Sequence, residues 1–225
     1  MGGHTSESMR ILELFSGTGS VGRAFREHGW EVTSLDILPW MNVTENRMHI
    51  VGDIMHWNYA SFADPGHFDF IWASPPCTEY SRARTRAKRP RDFEGVDALV
   101  SRTLEIIEYF DPRCWLLENT QTGYLKSRAI MQDIPWQDVT YCRYGAPYKK
   151  QTRLWGVFPF KLRPLCCVAH PCPQVAGGKH PFRAQREHNG THFSLTQLYS
   201  IPAELCEEIA AFATIWVGIA PIRGN

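Results

Sequence analysis

Three residues of this chain could do chemistry together if the fold brings them to one place: Cys77, Glu118 and Arg153. Cys77 closes the stretch from Phe70 to Cys77, an apolar run that ends in Pro75 and Pro76, which cannot continue a sheet ladder. A thiol on such a loop, at the carboxyl end of a strand, stands where loop residues of open α/β sheets meet their ligands. Its chemistry would be nucleophilic, a thiolate adding to an electrophilic carbon and later leaving. A lone cysteine on a loop is more often of no consequence, so its companions decide. Glu118 ends a second apolar run, Cys114 to Leu117, and lands on the same edge as Cys77. A carboxyl partly buried between strands can donate a proton, although it could also cap the helix that follows. Gln151 and Arg153 share one face of a later strand by period-two alternation.

The elements that must position these residues follow from the patterning. Arg10 to Phe15 reads as a buried strand, Ser16 to Gly22 as a glycine-rich turn, and Arg23 to His28 as a helix, the opening of a doubly wound nucleotide-binding fold. Glycines there allow positive φ and close backbone approach. A second strand, Gly29 to Leu35, ends in Asp36 about 20 residues after the turn, where an acid can accept ribose hydroxyls or cap a helix. A third strand near His49 to Val51 leads to Asp53, which could receive an adenine amine or simply form a turn with Gly52. Helices are expected over Glu94–Phe110 and near Gly123–Gln132, a strand over Val139–Tyr144, and a helix opened by Pro202 within Leu195–Val217.

Two further clusters stand out. Arg82, Arg84, Arg86, Lys88, Arg89 and Arg91 form a basic run without apolar periodicity, which suggests either a mobile loop touching phosphates or a solvated one. Residues 164–192 are rich in Pro, Gly, Cys and His. Cys142, Cys167, Cys172 and His180 are the best four ligands for a tetrahedral zinc site, with Cys166 as the rival, while reduced thiols on an irregular loop are the plain alternative.

The 225 residues, 44% hydrophobic and 21% charged with a net charge of +1, suit one α/β domain with a small appendage, so a polyanion partner must be met by local clustering. Met1 to Met9 has no apolar core and no stretch approaches the roughly 18 apolar residues of a membrane span. A cytoplasmic or nuclear setting follows, where the seven cysteines are expected free, catalytic or metal-bound.

Leu14 to Gly19, Pro75-Pro76-Cys77, Glu118-Asn119, Gln151-Thr152-Arg153 and Gln197 to Pro202 resemble, in that order, the signature blocks of cytosine-C5 DNA methyltransferases, and most closely the compact viral and phage type. The resemblance implies a Rossmann-like S-adenosylmethionine-dependent fold, a mostly parallel sheet flanked by helices with a small irregular Cys/His-rich insertion. It implies S-adenosylmethionine contacts at Phe15, Ser16, Gly17, Thr18, Gly19, Asp36, Ile37, Asp53, Ile54 and Pro75. Cys77 would add to C6 of a flipped cytosine, Glu118 would serve N3, Arg153 would touch the base, and Arg82, Arg84, Arg86, Lys88 and Arg89 would contact nucleic acid. The expected organisation is a catalytic domain over 10–160, a recognition segment over 161–193 and a completing helix over 194–217. Two departures are evident: Trp155 stands where the family has a second arginine, and the interval from Gly156 to Gln197 is too short for a large recognition domain. DNA is the implied partner. RNA, as in the tRNA-modifying relatives, and a silent DNA-binding regulator are the alternatives.

Overall fold

Strands that read as unbroken apolar runs must be covered on both faces, which favours a parallel sheet between helices. The computed structural model, described over residues 8–39, 47–82, 84–85, 87–185, 187–188 and 190–219, has that form. Strands β1 (Arg10–Leu14), β2 (Glu31–Asp36), β3 (Arg47–Val51), β4 (Phe70–Ala73) and β5 (Cys114–Thr120) pair in parallel. β6 (Trp136–Thr140) and β7 (Gln151–Trp155) close the sheet, with β7 antiparallel to both β5 and β6. The order is β3-β2-β1-β4-β5-β7-β6, so the chain runs outward from β1 and then returns to its other side at β4. That reversal opens a crevice at the carboxyl ends of β1 and β4, the place where such sheets hold ligands.

Alternation along the strands builds two cores. Ile11, Phe70, Cys114 and Leu116 meet α1 (Ser20–Glu27) and α4 (Ala203–Ile219) on one face. Leu12, Ile71 and Leu117 meet α2 (Phe93–Phe110) on the other. Side chains such as Phe25, Phe70 and Phe110 are fully enclosed, and each such burial stabilises the fold by about 1.5–3 kcal/mol. Gly22 is required where α1 crosses β1, because a Cβ there would lie 2.6 Å from Glu13 Oε2 and 2.9 Å from Val32 Cγ1.

Two sequence expectations change. The segment near Gly123–Gln132 is not a helix but two 3₁₀ turns, Leu125–Ser127 and Ala129–Met131. Arg128 between them is extended (φ −80°, ψ 141°), and its guanidinium is held by Asp97 of α2 at 2.5–3.2 Å, which interrupts the winding. The strand expected through Tyr144 stops at Thr140, and Tyr141–Tyr144 turns back as a 3₁₀ turn closed by Gly145. Within 161–193 the described residues form only a short hairpin, β8 (Glu187–His188) with β9 (Thr191–His192). Ser194 and Gln197 then make a reciprocal capping box for α3 (Leu195–Tyr199). No helix among the described residues is long and apolar enough to cross a membrane.

Candidate active site

The loop carrying Cys77 is fixed from beneath. Asn119, buried at the end of β5, donates through Nδ2 to the carbonyl of Pro75 at 3.0 Å, and the Ser81 N–H donates to the carbonyl of Cys77 at 2.8 Å. Cys77 itself is half-buried. Burial pushes its thiol above the ordinary range, the Glu118 charge pushes it further, and the Lys150 charge pulls it back. At neutral pH Cys77 therefore rests as a thiol.

Glu118 follows Cys114 and Leu116 on the face that α1 and α4 cover, and it is 8% exposed. Tyr141 O–H donates to its Oε1 at 3.0 Å. Burial, with the Glu118 charge adding to it, keeps Tyr141 a neutral hydroxyl. Lys150 completes the group. Its Nζ lies 4.0 Å from Glu118 Oε1 and 4.6 Å from the centre of the Tyr141 ring, and it donates to the carbonyl of Leu198 at 3.3 Å. Sequence reading missed both Tyr141 and Lys150. Lys150 precedes Gln151, so it alternates onto the face of Thr152 and Leu154, and it is the register pairing Leu154 with Glu118, which the sequence does not show, that brings it there.

Arg153 is not brought to Cys77 and Glu118. It pairs with Asn119 on one side and Asp138 on the other, which places it on the opposite face of the sheet from Glu118. Its guanidinium binds the Asp138 carboxylate through two hydrogen bonds, 2.6 and 2.8 Å, and lies 3.5 Å from the centre of the Trp136 ring. Trp155 shares that face and is enclosed in the core beside α2. Gln151 is half-buried and alternates with Arg153.

The cofactor positions divide. Gly17 (φ 45°) and Gly19 (φ 63°) adopt the left-handed backbone that the turn needs, and Phe15 does so without being glycine (φ 55°). α1 begins at Gly19 with no side-chain cap and no acid in its first turn, leaving amide N–H groups and a positive dipole end for a carboxylate. Asp36 Oδ2 accepts from Gly17 N–H at 2.8 Å and Oδ1 from Leu38 N–H at 3.0 Å, which ties the end of β2 to the glycine turn. Ile37 and Leu38 beside it are each 67% exposed, an apolar surface at the sheet edge suited to an adenine ring. These residues fit an adenosine cofactor with a charged amino-acid tail. Asp53 behaves as a turn former, accepting from Met55 N–H at 3.0 Å with its other oxygen 3.2 Å from His56 Nδ1. Ile54 is enclosed in the core on the α2 side. Pro75 is buried, and its carbonyl serves Asn119.

The basic run is more ordered than a mobile loop. Glu79, 5% exposed, gathers it: the Asp92 N–H donates to Glu79 Oε2 at 3.0 Å, Arg89 donates to Oε1 at 2.5 Å, and Arg84 Nε lies 3.6 Å from Oε2. That amide bond and the two guanidinium groups hold the Glu79 carboxyl below its usual range. Arg91 donates to the Glu79 carbonyl and packs on the Tyr124 ring, as does Arg82. Arg84 is thus tied inward, while Arg82, Lys88 and Arg89 remain exposed. Arg86 lies outside the described residues. Glu79 was not foreseen, because one acid ahead of six cations carries no sequence mark.

The Cys/His set needs one correction. The grouped residues are Cys142, Cys166, Cys172 and His180, whose ligand atoms lie within 4.8 Å of one another. Cys166 N–H donates to Thr140 Oγ1 at 2.7 Å, which turns its side chain inward and leaves Cys167 exposed, its Sγ 3.8 Å from His170 Nδ1.

Among known proteins, the family described as C-5 cytosine-specific DNA methylase matches residues 9–128. A probable DNA (cytosine-5)-methyltransferase of Frog virus 3 (isolate Goorha) is 32% identical over 179 residues, which is 74% of this chain and 79% of that protein. Two solved structures, a Spodoptera frugiperda DNMT2 mutant and the Entamoeba histolytica methyltransferase EhMeth, superpose with TM-scores of 0.45 and 0.48 at 19% and 15% identity. They cover 77% and 70% of this chain, which spans 58% and 56% of theirs.

Proposed function

This chain belongs to the C-5 cytosine-specific DNA methylase family, and from that premise we propose that it methylates C5 of a cytosine in DNA through a covalent bond to Cys77. The observation that carries the proposal is the grouping of a carboxyl, a tyrosine hydroxyl and a fixed ammonium, Glu118, Tyr141 and Lys150, at the sheet edge where the neighbouring strand β4 leads to the Cys77 thiol. The target base must leave the duplex to reach them, because its ring atoms are covered while it is stacked.

Transfer of the thiol proton from Cys77 to Glu118 removes the charge that opposes the thiolate and creates the acid that the base requires. Cys77 Sγ then bonds to C6, the ring electrons move toward N3, and Glu118 returns the proton there. Lys150 is a donor only, so beside N3 it suits the carbonyl oxygen at C2 rather than the amine at C4. Its charge offsets the negative charge that develops on the ring. Phe15 to Gly19, Asp36 and Ile37 would hold S-adenosylmethionine, which would supply an electrophilic methyl carbon. C5 would bond to that methyl carbon as its bond to the cofactor's sulfur breaks; C5 then loses its proton to solvent, the C5–C6 double bond re-forms, Sγ leaves as the thiolate, and the N3 proton returns through Glu118 to Cys77. Splitting the reaction in this way replaces one difficult step with two easier ones.

Residues 10–160 and 194–217 form the catalytic unit in this reading, and residues 161–193 with Arg82, Lys88 and Arg89 face the nucleic acid. Cys142, Cys166, Cys172 and His180 are structural, because four protein ligands leave no open position for substrate. The test is transfer of label from methyl-labelled S-adenosylmethionine to duplex DNA, with Cys77→Ser and tRNA run in parallel. Label on DNA cytosine that disappears with Cys77→Ser supports the reading. Label transfer indifferent to that substitution overturns the mechanism, and preference for tRNA overturns the substrate.

A further inference from the structure

Three cysteines and a histidine that take no part in methyl transfer come together from distant stretches of the chain. Cys142 belongs to the turn after β6, whereas Cys166, Cys172 and His180 belong to the irregular 161–193 segment. We propose that these four residues bind a zinc ion that fastens the 161–193 segment to the catalytic sheet.

The donor geometry supports it. Cys166 Sγ and Cys172 Sγ lie 3.2 and 3.4 Å from His180 Nε2, and all four ligand atoms fall within 4.8 Å of one another. Ligands arranged tetrahedrally around zinc, with Zn–S near 2.3 Å and Zn–N near 2.0–2.1 Å, stand about 3.5–3.8 Å apart. Adjustments of roughly 1 Å or less close the site around an ion. Three thiolates and an imidazole are a donor set that selects a tetrahedral, N/S-binding metal over magnesium or calcium. The cysteines are all unpaired, so the cluster is not a disulfide. Two of these sulfurs, Cys166 Sγ and Cys172 Sγ, orient the His180 ring through Nε2, while its Nδ1 is buried without a hydrogen-bond partner among the described residues.

The surroundings show why a metal is needed. Cys142, Cys166 and Cys172 form a buried cluster separate from both main cores, and Val175 is the one apolar side chain among the described residues packed against it. Apart from the two-residue strands of its hairpin, the described part of the segment has no helix or strand, and while Leu162, Phe182 and Phe193 anchor it to the main core, the stretch from Cys166 to His180 between those anchors has too little apolar surface for a core of its own. A structural metal supplies the folding free energy that such a stretch lacks.

The site also adjoins two of the residues grouped at Glu118. Cys142 directly follows Tyr141, the donor to Glu118. Two residues beyond His180, the carbonyl of Phe182 accepts from Lys149 N–H at 3.4 Å, next to Lys150. The metal thus steadies Tyr141 and Lys150 from behind, and this last step alone rests on the proposed methyl transfer.

Metal analysis of the full chain, purified under reducing conditions without chelator, is the test. The expected result is stoichiometric zinc in the wild type and in Cys167→Ser, and its loss in Cys166→Ser and in His180→Ala. Cobalt(II) exchanged into the wild type should show thiolate charge-transfer bands and the intense d–d bands of a tetrahedral site, a readout that stands even if a ligand variant fails to fold. A wild type that holds no zinc after exposure to zinc in reducing buffer would overturn the proposal. Zinc lost from Cys167→Ser as fully as from Cys166→Ser would overturn it as well. Neither measurement depends on activity, so failure of the methyl-transfer reading would leave it standing.

Discussion

The two faces of the β5–β7 strand pair carry the same kinds of side chain to different ends. On the face toward α4, Glu118 stands with a neutral Tyr141 hydroxyl at 3.0 Å and an ammonium at 4.0 Å, close enough to Cys77 to alter its ionisation. On the other face, one residue along each strand, Arg153 is closed against Asp138 by two short bonds and roofed by Trp136. The first arrangement leaves a carboxyl with capacity to accept and give a proton. The second spends both charges on each other. A cation within contact of its carboxylate in an optimal fork has little left for a substrate, whereas one held a little further off can still respond to charge arriving between them.

Cys77→Ser should break the reactive face most completely, lowering label transfer by about 10⁴-fold or more, because a hydroxyl is a far poorer nucleophile at neutral pH. Glu118→Gln removes the proton donor and should lower kcat by about 10²–10⁴-fold while cofactor binding, measured by calorimetry, is unchanged. Lys150→Met keeps the length of the stem and removes the charge. The loss of one charge-assisted hydrogen bond at the base is about 1.5–3 kcal/mol, which is roughly tenfold to a hundredfold in kcat. Full activity in Lys150→Met would dissolve the contrast between the two faces.

The same contrast can be sharpened through pH. Because burial and the Glu118 charge raise the Cys77 thiol, its alkylation, followed peptide by peptide in a mass spectrometer, should still be climbing at about pH 8.5, where a free thiol is half ionised. Glu118→Gln removes a charge that opposes the thiolate and should move the curve to lower pH. Lys150→Met should move it to higher pH. Arg153→Met, on the far face, should leave it in place. A curve unmoved by the first two changes would mean that Glu118 and Lys150 do not share the Cys77 environment.

Much of this arrangement was legible in the residues. Apolar runs ending in glycine, aspartate, proline and glutamate marked the strand ends of β1, β2, β4 and β5, because parallel strands buried on both faces leave few other readings. The positions of Cys77 and Glu118 followed from those ends. What could not be read was which face each residue of a late strand presents. Period two groups Gln151 with Arg153, yet only the pairing register with β5 says that Lys150 and not Arg153 joins Glu118. The choice between Cys166 and Cys167 failed for a related reason: neighbouring side chains point apart, and a backbone bond to Thr140 from a distant strand decides between them. Propensity likewise favoured a helix near Gly123–Gln132, where the Asp97 carboxylate on α2 holds Arg128 extended.

The smallest expected effect on catalysis falls on the closed face, and for that reason it tests the comparison most directly. Arg153 and Asp138 are each 11% exposed at the side chain, so Arg153→Met leaves a largely buried carboxylate without its partner. Removal of that bidentate bond should cost about 1–3 kcal/mol of stability, which for a chain of this size lowers the melting temperature by roughly 2–4 °C per kcal/mol. Replacing both partners, Arg153→Met with Asp138→Leu, should recover part of the loss, since no charge is then stranded. At a temperature where both variants are folded, kcat should stay within about threefold of wild type, a difference in barrier of well under 1 kcal/mol. If Arg153→Met instead lowers kcat as far as Lys150→Met without shifting the melting temperature, the base contact belongs to Arg153, and the register that turns it away from Glu118 is not the one that works.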